Sequence, residues 1–138
     1  MDPDRRLRYK EKIGWAAHRC NQIHEWISLY GSDSPMDEMP LLAIFKAYQE
    51  VIECLMDLIA MNLRDTDLPA RDDYSNIERI SLFSKKDQQV LSEMNGLRNR
   101  IIHRYNSTDE RIALERIECF LPLIEDRLED FSRWIQNS

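Results

Sequence analysis

The chain has few of the residues that turn a backbone sharply: 3 glycines and 5 prolines in 138 positions. A β-sandwich or barrel of this length needs many more turn residues, so helices are favoured from the start. No apolar run approaches the roughly 18 residues that cross a bilayer, which argues against a membrane protein. The opening Met1-Asp2-Pro3-Asp4-Arg5-Arg6 leads into charge and not into an apolar signal core. The expected location is therefore cytoplasmic. Cysteine is scarce and odd in number, at 20, 54 and 119, each set in an apolar pattern. The three read as buried thiols in a reducing compartment and not as a disulfide framework. Positive charge is in deficit as well: the net charge is −6. That argues against a general nucleic-acid binder, which is usually basic.

Apolar residues make up 43% and charged residues 32%, a balance that excludes a disordered chain. Residues 1–138 are expected to form one domain with a single modest core. Against the acidic background one stretch stands out. Between Met94 and Thr108 there are three arginines (98, 100 and 104), one histidine and no acid. Any RNA contact has to use such a local positive patch.

Helical periodicity runs through most of the chain. Ile13, Ala16, Cys20, Ile23, Ile27 and Tyr30 step by three and four, then Gly31-Ser32-Asp33-Ser34-Pro35 stops the pattern. Leu41, Phe45, Tyr48, Ile52, Leu55 and Ile59 form a second stripe, widened by Ile44, Val51 and Leu58. A stripe this broad predicts a helix buried on most of its surface. It starts either at Ser34-Pro35-Met36-Asp37, as a cap followed by proline, or later, at Pro40. Residues 64 to about 75 read as a polar loop. A short helix follows, with Ile77, Ile80 and either Phe83 or Leu82 inward. Asp87 looks like the cap of a fourth helix with Val90, Met94, Leu97 and Ile101 as its core stripe. Ser107 with Glu110 fits a capping box for a last helix. Its stripe is Ala113, Ile117, Phe120, Ile124, Leu128, Phe131 and Ile135, and Pro122 should kink it. The predicted fold is all-α: a bundle of four main helices plus a short one.

The segment Leu97-Arg98-Asn99-Arg100-Ile101-Ile102-His103-Arg104-Tyr105-Asn106 carries the chemistry. If the fourth helix continues to about residue 105, each residue turns by about 100°. Ser92, Asn95, Asn99 and His103 then form a polar stripe opposite the core. Gly96 lies beside it, where another backbone could approach. Arg98 and Tyr105 share a flank with Ile102 between them. Two readings stand at this point. The segment is a solvated helix end whose arginines complement the helix dipole, or it is a contact surface.

Arg98, four residues, His103, one residue, Tyr105 matches R-x4-H-x-Y, and Asn99 fits the Arg-Asn that opens many such motifs. With its place at the end of a fourth helix in a chain of this size, the segment resembles the HepT-like branch of the HEPN superfamily. The resemblance covers nearly the whole chain. It implies a HEPN-type helical bundle, a two-fold homodimer and a metal-independent endoribonuclease toxin that acts on transfer or messenger RNA without a cofactor. The product would be a 2′,3′-cyclic phosphate. It implies Arg98 and His103 as catalytic residues, Asn99 in support, and Arg100 and Arg104 on the RNA phosphates. It also implies a minimal nucleotidyltransferase antitoxin that transfers AMP to Tyr105. The chemistry suits the residues. An imidazole carries a proton near neutral pH, and a guanidinium offers paired donors to phosphate oxygens as charge builds. Arg98 and His103 lie about 140° apart on an ideal helix. Either the helix end is distorted or one centre draws on two protomers.

Other constellations are weaker. Cys20 and His24 sit one helical turn apart but have no second pair for a zinc site. Asp65, Asp67, Asp72 and Asp73 lack the glycine and terminal glutamate of a calcium loop. Trp15, Trp26 and Trp134 fit helix faces as core or interface residues. No phosphate-binding glycine loop and no nucleophile elbow occur. The rival to a ribonuclease is a non-catalytic binding module that docks a nucleotidyltransferase or RNA; a third reading is a structural helical dimer without activity.

Overall fold

A computed structural model describes the chain apart from residues 32–35 and 104–106 and the side chains at 107–109. Five helices follow in order: α1 (Pro3–Tyr30), α2 (Glu38–Asp65), α3 (Asp73–Arg79), α4 (Lys85–Ile102) and α5 (Ser107–Gln136). No strand occurs among the described residues, and none of the described helices is long and apolar enough to cross a membrane.

Local chemistry sets each boundary. Asp2 caps α1 by accepting from the Arg5 N–H, with Pro3 at the first helical position. Gly31 ends it. A Cβ at that position would stand 2.5 Å from the Ile27 carbonyl oxygen, so the closing turn needs glycine. The start of α2 resolves to Asp37, which caps without a side-chain hydrogen bond. Pro40 falls in the first turn, where backbone N–H groups have no helical acceptor anyway. The alternative cap at Ser34-Pro35 lies outside the described residues.

The cap of α4 is Ser84, not Asp87. The Ser84 hydroxyl accepts from the Asp87 N–H at 3.1 Å. Asp87 sits in the first turn, where an acid complements the dipole, and pairs with Arg127 of α5 at 2.7 Å. The other end of α4 also differs from expectation. The helix stops at Ile102, and His103 is its C-cap. The proposed Ser107 capping box falls on side chains outside the description. Helix α5 continues through Pro122.

Helix α2 is the centre of the molecule and touches the other four. Leu41, Ile44, Phe45, Tyr48, Val51, Ile52, Leu55, Leu58 and Ile59 are all buried, as the broad stripe requires. The stripe of α5 from Ala113 to Ile135 is buried too. In α1, Ala16, Cys20 and Ile23 are buried, Ile13 and Ile27 partly so, while Tyr30 is exposed. Phe83 rather than Leu82 fills the core, edge-on to Phe131 at 5.3 Å between ring centroids. Met94 and Leu97 are buried, with Leu91 added to the expected stripe; Val90 and Ile101 are only partly covered. Of the three thiols Cys20 is buried, Cys54 half-buried and Cys119 exposed, so the expectation of three buried thiols fails at Cys119. Position 119 lies on the outer side of α5, away from the Ile117–Phe120–Ile124 stripe. Trp26 and Trp134 pack against the core, whereas Trp15 is exposed.

Candidate active site

The last two turns of α4 are fixed from two sides. From α2, the buried Tyr48 hydroxyl donates to the Met94 carbonyl at 2.8 Å. That pins the backbone one turn before Arg98. From α3, two neighbouring residues reach across. Asp73 meets Arg98, with its Oδ2 3.2 Å from Nη2. The Tyr74 hydroxyl accepts from Asn99 Nδ2 at 3.3 Å. The α3 segment is itself anchored. Asp72 caps it through the Ser75 N–H. Buried Asn76 accepts from the Arg71 N–H at 2.6 Å and donates to the Arg71 carbonyl at 2.9 Å.

Arg98 is the most constrained residue of the site. Its side chain is 14% exposed. Nη2 donates to Asn95 Oδ1 at 2.9 Å as well as to Asp73. Nη1 lies 3.7 Å from Glu53 Oε1 on α2. Nε is buried and, among the described residues, has no hydrogen-bond partner. Three helices therefore converge on one guanidinium. The expected polar stripe is corrected at Asn95, which is 1% exposed. It turns inward because its amide oxygen takes an Arg98 proton; a buried amide without that bond would be costly. The expected positive patch is modified at Arg98 alone. Arg98 sits between two carboxylates contributed by distant parts of the chain, so its charge is compensated locally.

The remaining motif residues are arranged more loosely. Asn99 is half-buried, held by Tyr74. Arg100 and His103 are exposed, and the His103 N–H closes the helix on the Asn99 carbonyl at 3.1 Å. Among the described residues no hydrogen bond or ion pair joins His103 to Arg98. Ile102 is 45% exposed although it is a large aliphatic side chain. Arg104 and Tyr105 lie outside the described residues. Gly96 faces Tyr74, and a Cβ there would sit 3.7 Å from its hydroxyl, an ordinary contact. Sequence reasoning missed Glu53, Asp73 and Tyr74. Asp73 was grouped with the loop acids, yet those acids have separate tasks: Asp65 binds Arg5 and Tyr9, Asp72 caps α3, and Asp73 holds Arg98.

Among the described residues no three His, Cys, Asp or Glu side chains gather as a metal site. His24 turns away from Cys20 chemistry and pairs with Glu125 at 2.7 Å. A hollow of about 440 Å³ on the outer side of α3 and α4, lined by Glu78, Lys85, Gln88, Gln89 and Ser92, shares no residue with the Arg98 cluster.

The polar cluster at the end of a fourth helix, on Arg98, Asn99 and His103, can be set beside known proteins. The sequence pattern of the Ribonuclease HepT-like family matches residues 16–131. The chain belongs to the HepT-like ribonuclease family. Two curated relatives from Archaeoglobus fulgidus, both named as candidate RNases, resemble it over most of its length. One is 32% identical over 135 residues, covering 91% of this chain and 96% of the relative. The other is 30% identical over 128 residues, covering 91% and 89%. A candidate RNase of Methanocaldococcus jannaschii is 32% identical over 73 residues, 51% of this chain and 84% of its own. No solved structure matches.

Proposed function

We propose that this HepT-like protein is a metal-independent endoribonuclease toxin acting on transfer or messenger RNA in the cytoplasm. The observation that carries the proposal is the convergence of α2, α3 and α4 on Arg98, with the exposed His103 five residues further along. In the reaction the RNA 2′-oxygen attacks its own phosphorus and the P–O5′ bond breaks. The products are a 2′,3′-cyclic phosphate and a 5′-hydroxyl. His103 takes the 2′-hydroxyl proton or supplies the proton the leaving oxygen needs. Arg98 stabilises the charge that builds on the phosphate. Asn99 orients the phosphate or the imidazole, and Arg100 and Arg104 hold flanking phosphates.

A single imidazole in the motif, His103, and its angular offset from Arg98 favour a two-fold homodimer in which two motif helices face one cleft. The exposed Ile102 beside His103 supports that contact. In the same proposal a minimal nucleotidyltransferase antitoxin silences the enzyme by transferring AMP to Tyr105. The added phosphates would occupy the arginines that receive RNA.

The rival, a non-catalytic module that docks the nucleotidyltransferase or RNA, draws on the ion pairs of Arg98, which could be a structural tie. Incubation with an RNA oligonucleotide in EDTA separates the two. The enzyme is expected to release cyclic-phosphate ends, and His103→Ala to slow release at least about 10²-fold. Undiminished cleavage by His103→Ala would remove His103 from the reaction. No cleavage at any concentration leaves the docking module. For assembly, light scattering at micromolar concentration should give a dimer that Ile102→Asp turns into monomers; a monomeric wild type refutes it. Mixing with the nucleotidyltransferase and ATP should add whole AMP units at Tyr105. Tyr105→Phe should remain active and escape silencing.

A further inference from the structure

One guanidinium faces two carboxylates here, and the two hold it differently. Asp73 sits within hydrogen-bond reach of Nη2 at 3.2 Å, and the second Nη2 proton goes to Asn95 at 2.9 Å. Nη2 is thus saturated by groups from α3 and α4, one of them fully buried. Nε is buried and closed to a ligand. The donor left for an incoming anion is Nη1. Its neighbour is Glu53, at 3.7 Å, too far for a good hydrogen bond. The Glu53 side chain is 45% exposed. Its other link is Gln49 Nε2, 3.0 Å from the same Oε1 and one turn earlier on α2.

We infer that Glu53 is a place-holder: its carboxylate stands where an RNA phosphate binds Arg98 and gives way when RNA arrives, while Asp73 and Asn95 hold the guanidinium still. The inference rests on the reading of Arg98 as a phosphate ligand. The exchange is physically inexpensive. A half-exposed carboxylate already keeps much of its hydration, so swinging it into water loses one long contact to Arg98 and a neutral hydrogen bond from Gln49 that water can replace. A phosphate at Nη1 gains a shorter, charge-assisted pair. Asp73 cannot be exchanged as easily, because leaving would strand an Nη2 proton on a largely buried group. In this arrangement the two carboxylates have separate roles. Asp73 is a positioning residue that acts through Arg98. Glu53 sets the concentration at which a phosphate displaces it.

The test uses a 2′-deoxy oligonucleotide, which lacks the attacking hydroxyl and is not cleaved, together with its all-ribo counterpart. Affinity is read by fluorescence anisotropy for the full-length wild type, Glu53→Gln, Arg98→Ala and the double variant. Glu53→Gln removes one negative charge within a few ångströms of the bound phosphate. It is expected to bind about five-fold tighter at low salt, with the gain shrinking at high salt. The gain must vanish in the Arg98→Ala background, since a place-holder without its guanidinium holds nothing. A gain that persists there means general charge repulsion, and no gain at all means Glu53 is not in the way; either overturns the inference. Asp73→Ala is expected to lower kcat on the ribo-oligonucleotide about ten-fold with KM little changed, and Asp73→Asn, which keeps an acceptor, to restore most of it. Cleavage by the wild type without coupling between Glu53 and Arg98 sinks the inference and leaves the ribonuclease reading intact. Coupling without cleavage does the reverse. A wild type that neither binds nor cleaves ends both.

Discussion

Two of the arginine–aspartate junctions that tie helices of this protein together, at Asp65 and at Arg98, are built on opposite plans. At the first, Asp65 at the end of α2 accepts from Arg5 Nε at 3.0 Å and from the Tyr9 hydroxyl at 2.6 Å. Arg5 also lies over the Tyr9 ring, whose edge packs on Trp134 5.4 Å away. One acid serves two donors, and neighbouring Arg6 donates to the carbonyls of Ile135 and Ser138. At the second, Arg98 meets two acids and an amide and still keeps an unpartnered buried Nε. The first junction is complete within the chain. The second has one carboxylate more than its guanidinium needs, and the looser of the two, Glu53, stands 3.7 Å from Nη1. A chain that only needed a helix tie had a satisfied example available at Asp65. A phosphate that displaces the half-exposed Glu53 from Arg98 would leave the buried tie to Asp73 and Asn95 in place.

The sharpest way to break this contrast is to remove the key residue from each junction and compare readouts. Arg98→Ala should lower RNA cleavage at least about 10²-fold, the range for losing a charge-stabilising donor. Its melting temperature should change less than that of Asp65→Ala. Asp65→Ala strands the fully buried Tyr9 hydroxyl and frees Arg5, at a cost of about 2 kcal/mol, a fall in Tm on the order of 6 °C. Its kcat per folded molecule should stay within about two-fold of wild type, a small margin on the scale of the 10²-fold loss at Arg98. If Arg98→Ala unfolds the protein while Asp65→Ala abolishes cleavage, the assignment of the two junctions is inverted.

The same contrast explains what could be read from the sequence. The α2 and α5 stripes were legible because burial repeats every three to four residues and leaves a pattern. Motif spacing singled out Arg98, Asn99 and His103, but the helix end at Ile102, which leaves His103 as the C-cap, was not legible. Nor were Glu53 and Asp73, since they meet Arg98 from 45 and 25 residues away in sequence and sit among ordinary surface acids. Asn95 misled because a polar residue opposite a core stripe is normally solvated, and only the Arg98 contact explains its burial. Asp87 misled because an acid suits both the cap and the first turn. Cys119 misled because it follows Glu118 at the edge of an apolar run, where a shift of one residue changes the face.

A second, smaller effect separates the junctions by pH. Burial, then the bond to Asp65, hold the Tyr9 phenol protonated well above its ordinary range. Burial, with Glu125 nearby, pushes the Cys20 thiol from 9.0 up to about 12. Both groups are neutral when folded and ionise more readily when unfolded. Their raised folded pKa values therefore give stability that is complete below about pH 9 and is lost as pH climbs toward 12. Tm should fall across that alkaline window. Tyr9→Phe should start lower by about 1 kcal/mol, having lost one hydrogen bond, and then fall less steeply. An equally steep alkaline loss in Tyr9→Phe would show that the phenol plays no part in it.

The smallest expected effect tests whether any close polar pair between helices acts as a junction. His24 on α1 and Glu125 on α5 approach to 2.7 Å, shorter than either carboxylate contact of Arg98. Distance alone would rank this pair above both carboxylate contacts of Arg98. Exposure ranks it below them, because the two side chains are 48% and 41% exposed whereas Arg98 is 14% exposed. Water and salt screen such a pair, and fixing two side chains in one geometry offsets the modest Coulomb gain. Glu125→Gln should therefore shift stability by no more than about 0.5 kcal/mol, a change in Tm of roughly 1–2 °C. It should also leave RNA cleavage unaltered, since neither residue neighbours the α4 motif in sequence or shares a contact with it. Thermal melts at low and high salt read this directly. A salt-insensitive loss as large as that of Asp65→Ala would mean that short distance outweighs burial here. The ranking of the two arginine junctions would then have to rest on geometry rather than on enclosure.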